Sequence, residues 1–315
     1  MKGFLGIDTS NYTTSVAFCS DDGELFSKRK LLEVKEGACG IRQSDAVFIH
    51  TKTLPALSRE LFSSIDSPKI EAVGVSGFPR RASGSYMPCF LAGVSVAAST
   101  AAFLKVPLYV FSHQEGHLAA AAKGSGMELE GDFLAFHLSG GTLELLEVKG
   151  KSLEEKLLAC SADITTGQLI DRCGVKMGLK FPCGAELEEL AIKSTAKFKV
   201  NIPFRDSKVS IAGLENSFDK LLKSGAPYED CAAFVFECVI STVEKMISGR
   251  EQEKILFMGG VSSSRLMKSR LFRDSNRFFA SGEYSCDNAM GIALLARNAF
   301  LSEKDGDGLD FIIKH

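Results

Sequence analysis

Two histidines four residues apart, His113 and His117, stand where a helix should begin. An apolar run at residues 107–111 reads as a strand. Ser112 is a candidate N-cap, and an Ala-rich stretch at 118–122 follows. On a helix, residues four apart share one face about one turn apart, close enough to hold one metal ion. Taken alone, such a pair is more often two unrelated polar residues at a helix start. Glu115 stands two after His113, so it projects away from the metal face. A zinc-protease helix needs Glu directly after the first His to activate metal-bound water, so protease chemistry is not expected.

Three glycine- or hydroxyl-rich turns are the other chemistry-bearing stretches. The first, residues 8–14, runs Asp8-Thr9-Ser10-Asn11-Tyr12-Thr13-Thr14 between two short apolar runs, 4–7 and 15–18. Its amides and short polar side chains can cradle phosphate, and Asp8 can hold a metal or a water; the same residues also suit a plain hairpin turn. Asp8, Ser10 and Asn11 are its candidate catalytic contacts. The second turn is Ser139-Gly140-Gly141-Thr142, again strand, turn, strand. The third is Gly259-Gly260 after a buried strand at 255–258, running through Ser264 into a helix at 265–271. There the glycines admit a base or ribose, and the helix N-terminus favours an anion. Arg80 and Arg81, in a Gly/Pro/Ser loop after a strand at 70–76, are candidate anion contacts, although surface arginines are the commoner explanation.

The elements that must position these residues read as two hairpin-led α/β halves. Helices are expected at 45–64, with Pro55 a kink or break, at 89–104, at 186–193 and at 228–248. His50, inside the first of these, reads as packing or surface. Residues 163–172 begin another helix, and Asp287 is placed to cap one running through Ala299. The sequence has 315 residues, 45% hydrophobic and 24% charged, with a formal net charge of -2. That is enough for two lobes and supplies no global field for nucleic acid. The nine Cys form no CxxC pair, which argues for reduced thiols in a cytoplasm. No run is apolar and long enough to span a bilayer, no signal peptide opens the chain, and the Asp305-Gly306-Asp307-Gly308 tail lacks EF-hand spacing. The expected fold is a two-lobed α/β architecture of the actin, Hsp70 and sugar-kinase type (ASKHA), with nucleotide in the interlobe cleft. Residues 1–131 form the N-terminal lobe, with the tail from about 297 to 315 expected to pack back on it. Residues 132–296 form the C-terminal nucleotide-binding lobe.

Six segments in order resemble the TsaD/Kae1/Gcp family: GIDTSNYTTSVAF at 6–18, SHQEGHLAAA at 112–121, HLSGGTLELL at 137–146, DITTGQLIDRCGVKMGLKFPCG at 163–184, MGGVSSSRLM at 258–267 and CDNAMGIALLA at 286–296. The family, formerly labelled O-sialoglycoprotein endopeptidase, transfers threonylcarbamoyl from an adenylate to N6 of adenosine 37 in tRNA. The resemblance implies that His113, His117 and Asp287 hold one divalent metal in the cleft, zinc or iron, since two His and a carboxylate suit both. It implies that ATP, AMP or threonylcarbamoyl-AMP is held by Ser139, Gly140, Gly141, Thr142, Gly167, Gln168, Asp171, Gly184, Gly259, Gly260 and Ser264. It also implies tRNA as acceptor, with helper subunits of the TsaB/TsaE type.

The chain departs from the family pattern around that site. The acidic pair of the family's first turn is replaced by Tyr12 and Thr13. Thr142 stands for a His, Gln168 for a Glu and Ser264 for an Asn, and Phe78-Pro79-Arg80-Arg81 replaces a glycine-rich loop. Lost acids there bear most on activation of the incoming amine. A paralogue carrying a carbamoyl-type group to another acceptor, and a non-catalytic nucleotide-binding scaffold, are therefore the alternatives. The histidine pair excludes the family's non-catalytic partner TsaB, which lacks it.

Overall fold

The computed structural model describes residues 1–10, 12–32, 41–82, 84–272, 275–285 and 289–303. Asn11, Asp287 and the 305–308 tail lie outside these. The chain divides into two compact units, Met1–Ala120 with Cys286–His315, and Ala121–Ser285.

The first unit contains β1 (Lys2–Asp8), β2 (Thr13–Ser20), β3 (Leu25–Leu31), α1 (Gln43–Ser63), β4 (Lys69–Phe78), α2 (Phe90–Leu104), β5 (Leu108–Ser112) and most of α3 (His113–Ser125). Its sheet runs β3-β2-β1-β4-β5, with β1, β2 and β3 antiparallel and β1, β4 and β5 parallel. β1 and β2 are buried almost throughout, as strands covered on both faces must be. α1 continues past Pro55 rather than ending there, because Ala46, His50, Leu54, Leu57 and Leu61 keep one buried stripe across it.

The second unit follows with β6 (Phe133–Leu138), β7 (Leu143–Lys149), β8 (Glu154–Ser161), α4 (Thr166–Lys176), α5 (Gly184–Ala191), the short β9 (Phe204–Arg205) and β10 (Lys208–Val209), α6 (Ala212–Lys223), α7 (Tyr228–Met246), β11 (Ile255–Met258), α8 (Arg265–Leu271) and β12 (Arg277–Phe279). Its sheet order is β12-β11-β6-β7-β8-β10-β9. From β6 outward this repeats the first sheet: an antiparallel three-strand meander on one side, two parallel strands on the other. The repeated topology is the one expected for the actin and sugar-kinase type.

α9 (Met290–Leu301) closes the first unit. A Cβ on Gly6 would meet Ala293, and one on Gly74 would meet Ala296 and Ile292, so small residues let the helix lie directly on β1 and β4. The chain thus re-enters the first unit before residue 297, because α9 has its packing surface there.

Asp163 ties the second unit together at the start of α6. It accepts from the amides of Ile164 at 2.7 Å, Ile211 at 3.0 Å and Ala212 at 3.2 Å, and from the Ser210 hydroxyl at 2.6 Å. Burial alone would raise its carboxyl; the Ser210 hydroxyl and these amides outweigh that and hold it below the ordinary value. A depressed folded pKa stabilises above the unfolded value of about 3.9 and is lost as pH falls through the folded one. Asp163→Asn should therefore lower stability at pH 7 by about 1 kcal/mol, an amount kept small by solvent screening. Urea midpoints of wild type and variant should converge below about pH 4; an equal gap at pH 7 and pH 3 would refute the assignment.

Candidate functional site

The histidine pair is built by the junction of β5 and α3. Ser112 and Glu115 form a reciprocal cap: the Glu115 amide donates to Ser112 Oγ at 3.1 Å, and the Ser112 amide donates to Glu115 Oε2 at 2.6 Å. This capping box fixes where the helix starts and therefore which face carries the histidines. Glu115 is 5% exposed, and its second oxygen accepts from Arg81 Nε at 3.0 Å. Arg81 also lies over the Phe78 ring, 5.7 Å from its centre. Arg81, expected as an anion contact, thus spends one edge on the helix cap. Pro79 adds a carbonyl to the Gln114 amide at 3.1 Å.

Gly116, between the histidines, sits against α9. A Cβ there would lie 2.9 Å from Ile292, and one on Gly291 would lie 1.8 Å from the Gly116 carbonyl oxygen. At Gly291 only glycine permits that approach, because the atom met is backbone.

His113 Nε2 and His117 Nε2 are 2.9 Å apart. Two ring nitrogens so close cannot both present lone pairs to each other; a proton or a cation must lie between them. Metal–nitrogen bonds of about 2.0–2.1 Å place two ligand nitrogens roughly 2.9–3.4 Å apart, so the pair fits a shared metal. The third expected ligand, Asp287, lies outside the described residues, and among those described no group of three His, Cys, Asp or Glu converges on one point.

On the other side of His113, Nδ1 is 3.1 Å from Asp8 Oδ2, and the same oxygen accepts from Ser10 Oγ at 3.1 Å. Asp8 is wholly buried and Ser10 nearly so. The first turn is thus joined to the histidine pair, although Asp8, expected as a catalytic contact, faces His113 rather than solvent. His50 is buried behind the same turn, its Nδ1 2.8 Å from Thr14 Oγ1. Burial lowers its pKa against an opposing pull from the Asp8 carboxylate, which leaves it neutral at pH 7. Burial and then Asp8 push the nearby Cys89 thiol up to about 11, so it is not a thiolate nucleophile.

The nucleotide candidates gather in the second unit. A cavity of about 350 Å3 is lined by Gly140, Gly167, Asp171, Gly184, Gly260 and Ser264, together with Ile170, Pro182, Glu188, Phe236 and Val261. Its glycines do two different things. Gly140 and Gly260 are open, with nothing near the position a Cβ would take, whereas a Cβ on Gly167 would meet the Ser139–Gly140 backbone at 2.7 Å. Gly259 has φ +91 and a Cβ there would strike the Leu138 carbonyl at 2.3 Å, so it shapes the corner rather than lining it. The Ser139 hydroxyl accepts from the Thr142 amide at 3.0 Å and holds its own turn. Gln168 closes a capping box with Thr165, whose hydroxyl donates to the Gly140 carbonyl at 2.9 Å. Gln168 is therefore committed to starting α4. Asp171 accepts from the Cys183 amide at 2.8 Å.

Glu188 was not anticipated. It is 8% exposed, accepts from the Leu266 amide at 2.9 Å and from the Ser264 hydroxyl, and lines the cavity. Within Glu186, Glu188 and Glu189 it looks like one more solvated helix charge. The signal was its spacing, four residues after Gly184 and so on the same helix face.

A family model described as "TsaD: tRNA N6-adenosine threonylcarbamoyltransferase" matches residues 28–294. Curated relatives carrying the name tRNA N6-adenosine threonylcarbamoyltransferase include those of Thermus thermophilus, 29% identical over 93% of this chain and 91% of the relative, and Neorickettsia sennetsu, 26% identical over 93% and 92%. Among solved structures, HypF from T. kodakarensis aligns with TM-score 0.59 at 12% identity, over 98% of this chain and 48% of that one. The activator of 2-hydroxyisocaproyl-CoA dehydratase from Clostridium difficile, solved with ADPNP, aligns with TM-score 0.54 at 13% identity, over 95% and 96%. At such identity these two structures speak for the fold alone.

Proposed function

Because this chain belongs to the TsaD family of tRNA N6-adenosine threonylcarbamoyltransferases, we propose that it is an acyltransferase that moves threonylcarbamoyl from an adenylate to N6 of a tRNA adenosine. The observation that carries the reading is the convergence of His113 and His117 through Nε2, 2.9 Å apart, in a chain matched to that family over most of its length. With Asp287, they would hold one divalent zinc or iron. A bound metal of this kind supplies Lewis-acid orientation of anionic substrate oxygens.

The chain's own residues do the rest. Gly140 and Gly260 leave open backbone against which phosphate and ribose can rest, and the N-terminus of α4 favours the negative charge. Asp171, Glu188 and Ser264 would fix the sugar edge. Holding both reactants removes most of the entropic barrier to attack. The N6 amine forms a bond to the carbamoyl carbon, the bond from that carbon to the adenylate oxygen breaks, AMP leaves, and N6 loses a proton. Arg80 and Arg81 remain the candidates for phosphate contact beside the cap. With a formal net charge of -2, tRNA binding would be shared with helper subunits of the TsaB/TsaE type. The described cysteines are free thiols, which suits a cytoplasmic protein; among the described residues no helix is long and apolar enough to cross a membrane.

The first turn favours a second reading. Tyr12, which is exposed, and Thr13, which is buried at the start of β2, bring no acid to the site, so a different acceptor is the alternative. Restoring the modified nucleoside in a strain that lacks its own enzyme separates the two. Modified tRNA supports the first reading; unmodified tRNA despite metal and nucleotide binding favours the second. Glu188→Ala should weaken adenine nucleotide binding about tenfold to a hundredfold, the loss of a charge-assisted contact worth about 1.5–3 kcal/mol. Calorimetric titration showing unchanged affinity would remove Glu188 from the site.

A further inference from the structure

We propose that Asp8 is a positioning residue that sets how tightly the histidine pair holds its metal. The inference rests on the metal reading above and concerns a residue outside the ligand set. An imidazole that donates from Nδ1 is left with its lone pair on Nε2. In His113, Nδ1 faces Asp8 Oδ2 at 3.1 Å, while Nε2 is the atom that meets His117. The Asp8 contact therefore selects the tautomer that presents Nε2 to a cation, and the carboxylate makes that nitrogen more basic.

The fold places this carboxylate with little freedom. Asp8 ends β1, the central strand of its sheet, and is fully buried. A buried carboxylate without partners is costly; here one oxygen takes both the His113 ring and the Ser10 hydroxyl. Ser10 thus steadies Asp8 through its hydroxyl. The same burial argues against Asp8 meeting an incoming base or amine directly, the role its place in a polar turn first suggested. A purely structural hydrogen bond would support the fold and leave metal affinity alone, and that difference is measurable.

The test is competition of the purified full chain against a coloured chelator for Zn2+ and for Co2+, with folding checked by circular dichroism. Asp8→Asn should bind each ion about tenfold to a hundredfold more weakly than wild type, with a changed visible spectrum for the Co2+ form. Ser10→Ala should show a smaller fall of about twofold to fivefold, and it carries the test if Asp8→Asn does not fold. Wild-type binding with both variants within twofold of it overturns the proposal and leaves the metal reading standing. A wild-type chain that binds neither ion overturns both.

Discussion

His113→Ala yields a folded protein that retains no stoichiometric zinc or iron and transfers the acyl group about a thousandfold more slowly. The magnitude follows from the chemistry. A metal ligand that orients developing charge contributes several kcal/mol to the transition state, and about 4 kcal/mol corresponds to about three powers of ten in rate. The folding half of the prediction follows from geometry. His113 has a side chain 20% exposed and sits in the first turn of α3. The start of that helix is held by Ser112 and Glu115, not by the imidazole. Its removal frees the Asp8 carboxylate from one partner but leaves Ser10 on the same oxygen. Elemental analysis of the purified variant, with its melting curve, checks both parts. Full metal occupancy in the variant would show that the pair is not the metal centre.

Gly291→Val should have the largest effect on stability. The added Cβ would lie 1.8 Å from the Gly116 carbonyl oxygen and 3.0 Å from the Ala120 amide nitrogen. Both are backbone atoms of α3, so no side-chain rotation relieves the clash, and α3 and α9 must separate. Overpacking costs typically 1–3 kcal/mol and more where backbone must move. About 3–4 kcal/mol would lower the melting temperature by roughly 5 °C in a chain of this size. Because Gly116 lies between His113 and His117, the same displacement should weaken metal binding. A melting curve unchanged within about 2 °C would mean that the two helices do not pack as closely as their glycines allow.

Legibility in the sequence followed local physics. β11 and α8 fall at residues 255–258 and 265–271, as expected, because a four-residue apolar run stopped by two glycines leaves few alternatives. Strands without such contrast escaped notice. β3 is an edge strand, Leu25–Leu31, with basic residues and little burial, so no alternation marks it. β8 is similarly mixed. Pro55 suggested a kink or a break in α1, and tertiary packing of one apolar stripe carried the helix through without a break. In the site, the histidine spacing and the Ser112 cap could be read from neighbours in sequence, whereas the contact between Asp8 and His113 spans 105 residues and needed the sheet order to bring it about. Glu188 was hidden for the opposite reason, since its helical neighbours are also acidic. Gln168 and Gly259 stand at motif positions, but only the fold reveals that Gln168 caps α4 and Gly259 shapes the corner, whereas Gly167 lines the cavity.

The most direct test of the account is nucleoside mass spectrometry on tRNA incubated with the purified chain, its helper subunits and threonylcarbamoyl-adenylate, before and after metal stripping. The account predicts threonylcarbamoyladenosine with the metal-loaded protein, none after chelation, and recovery when zinc or iron is restored. Metal-loaded, nucleotide-binding protein that leaves competent tRNA unmodified would contradict it.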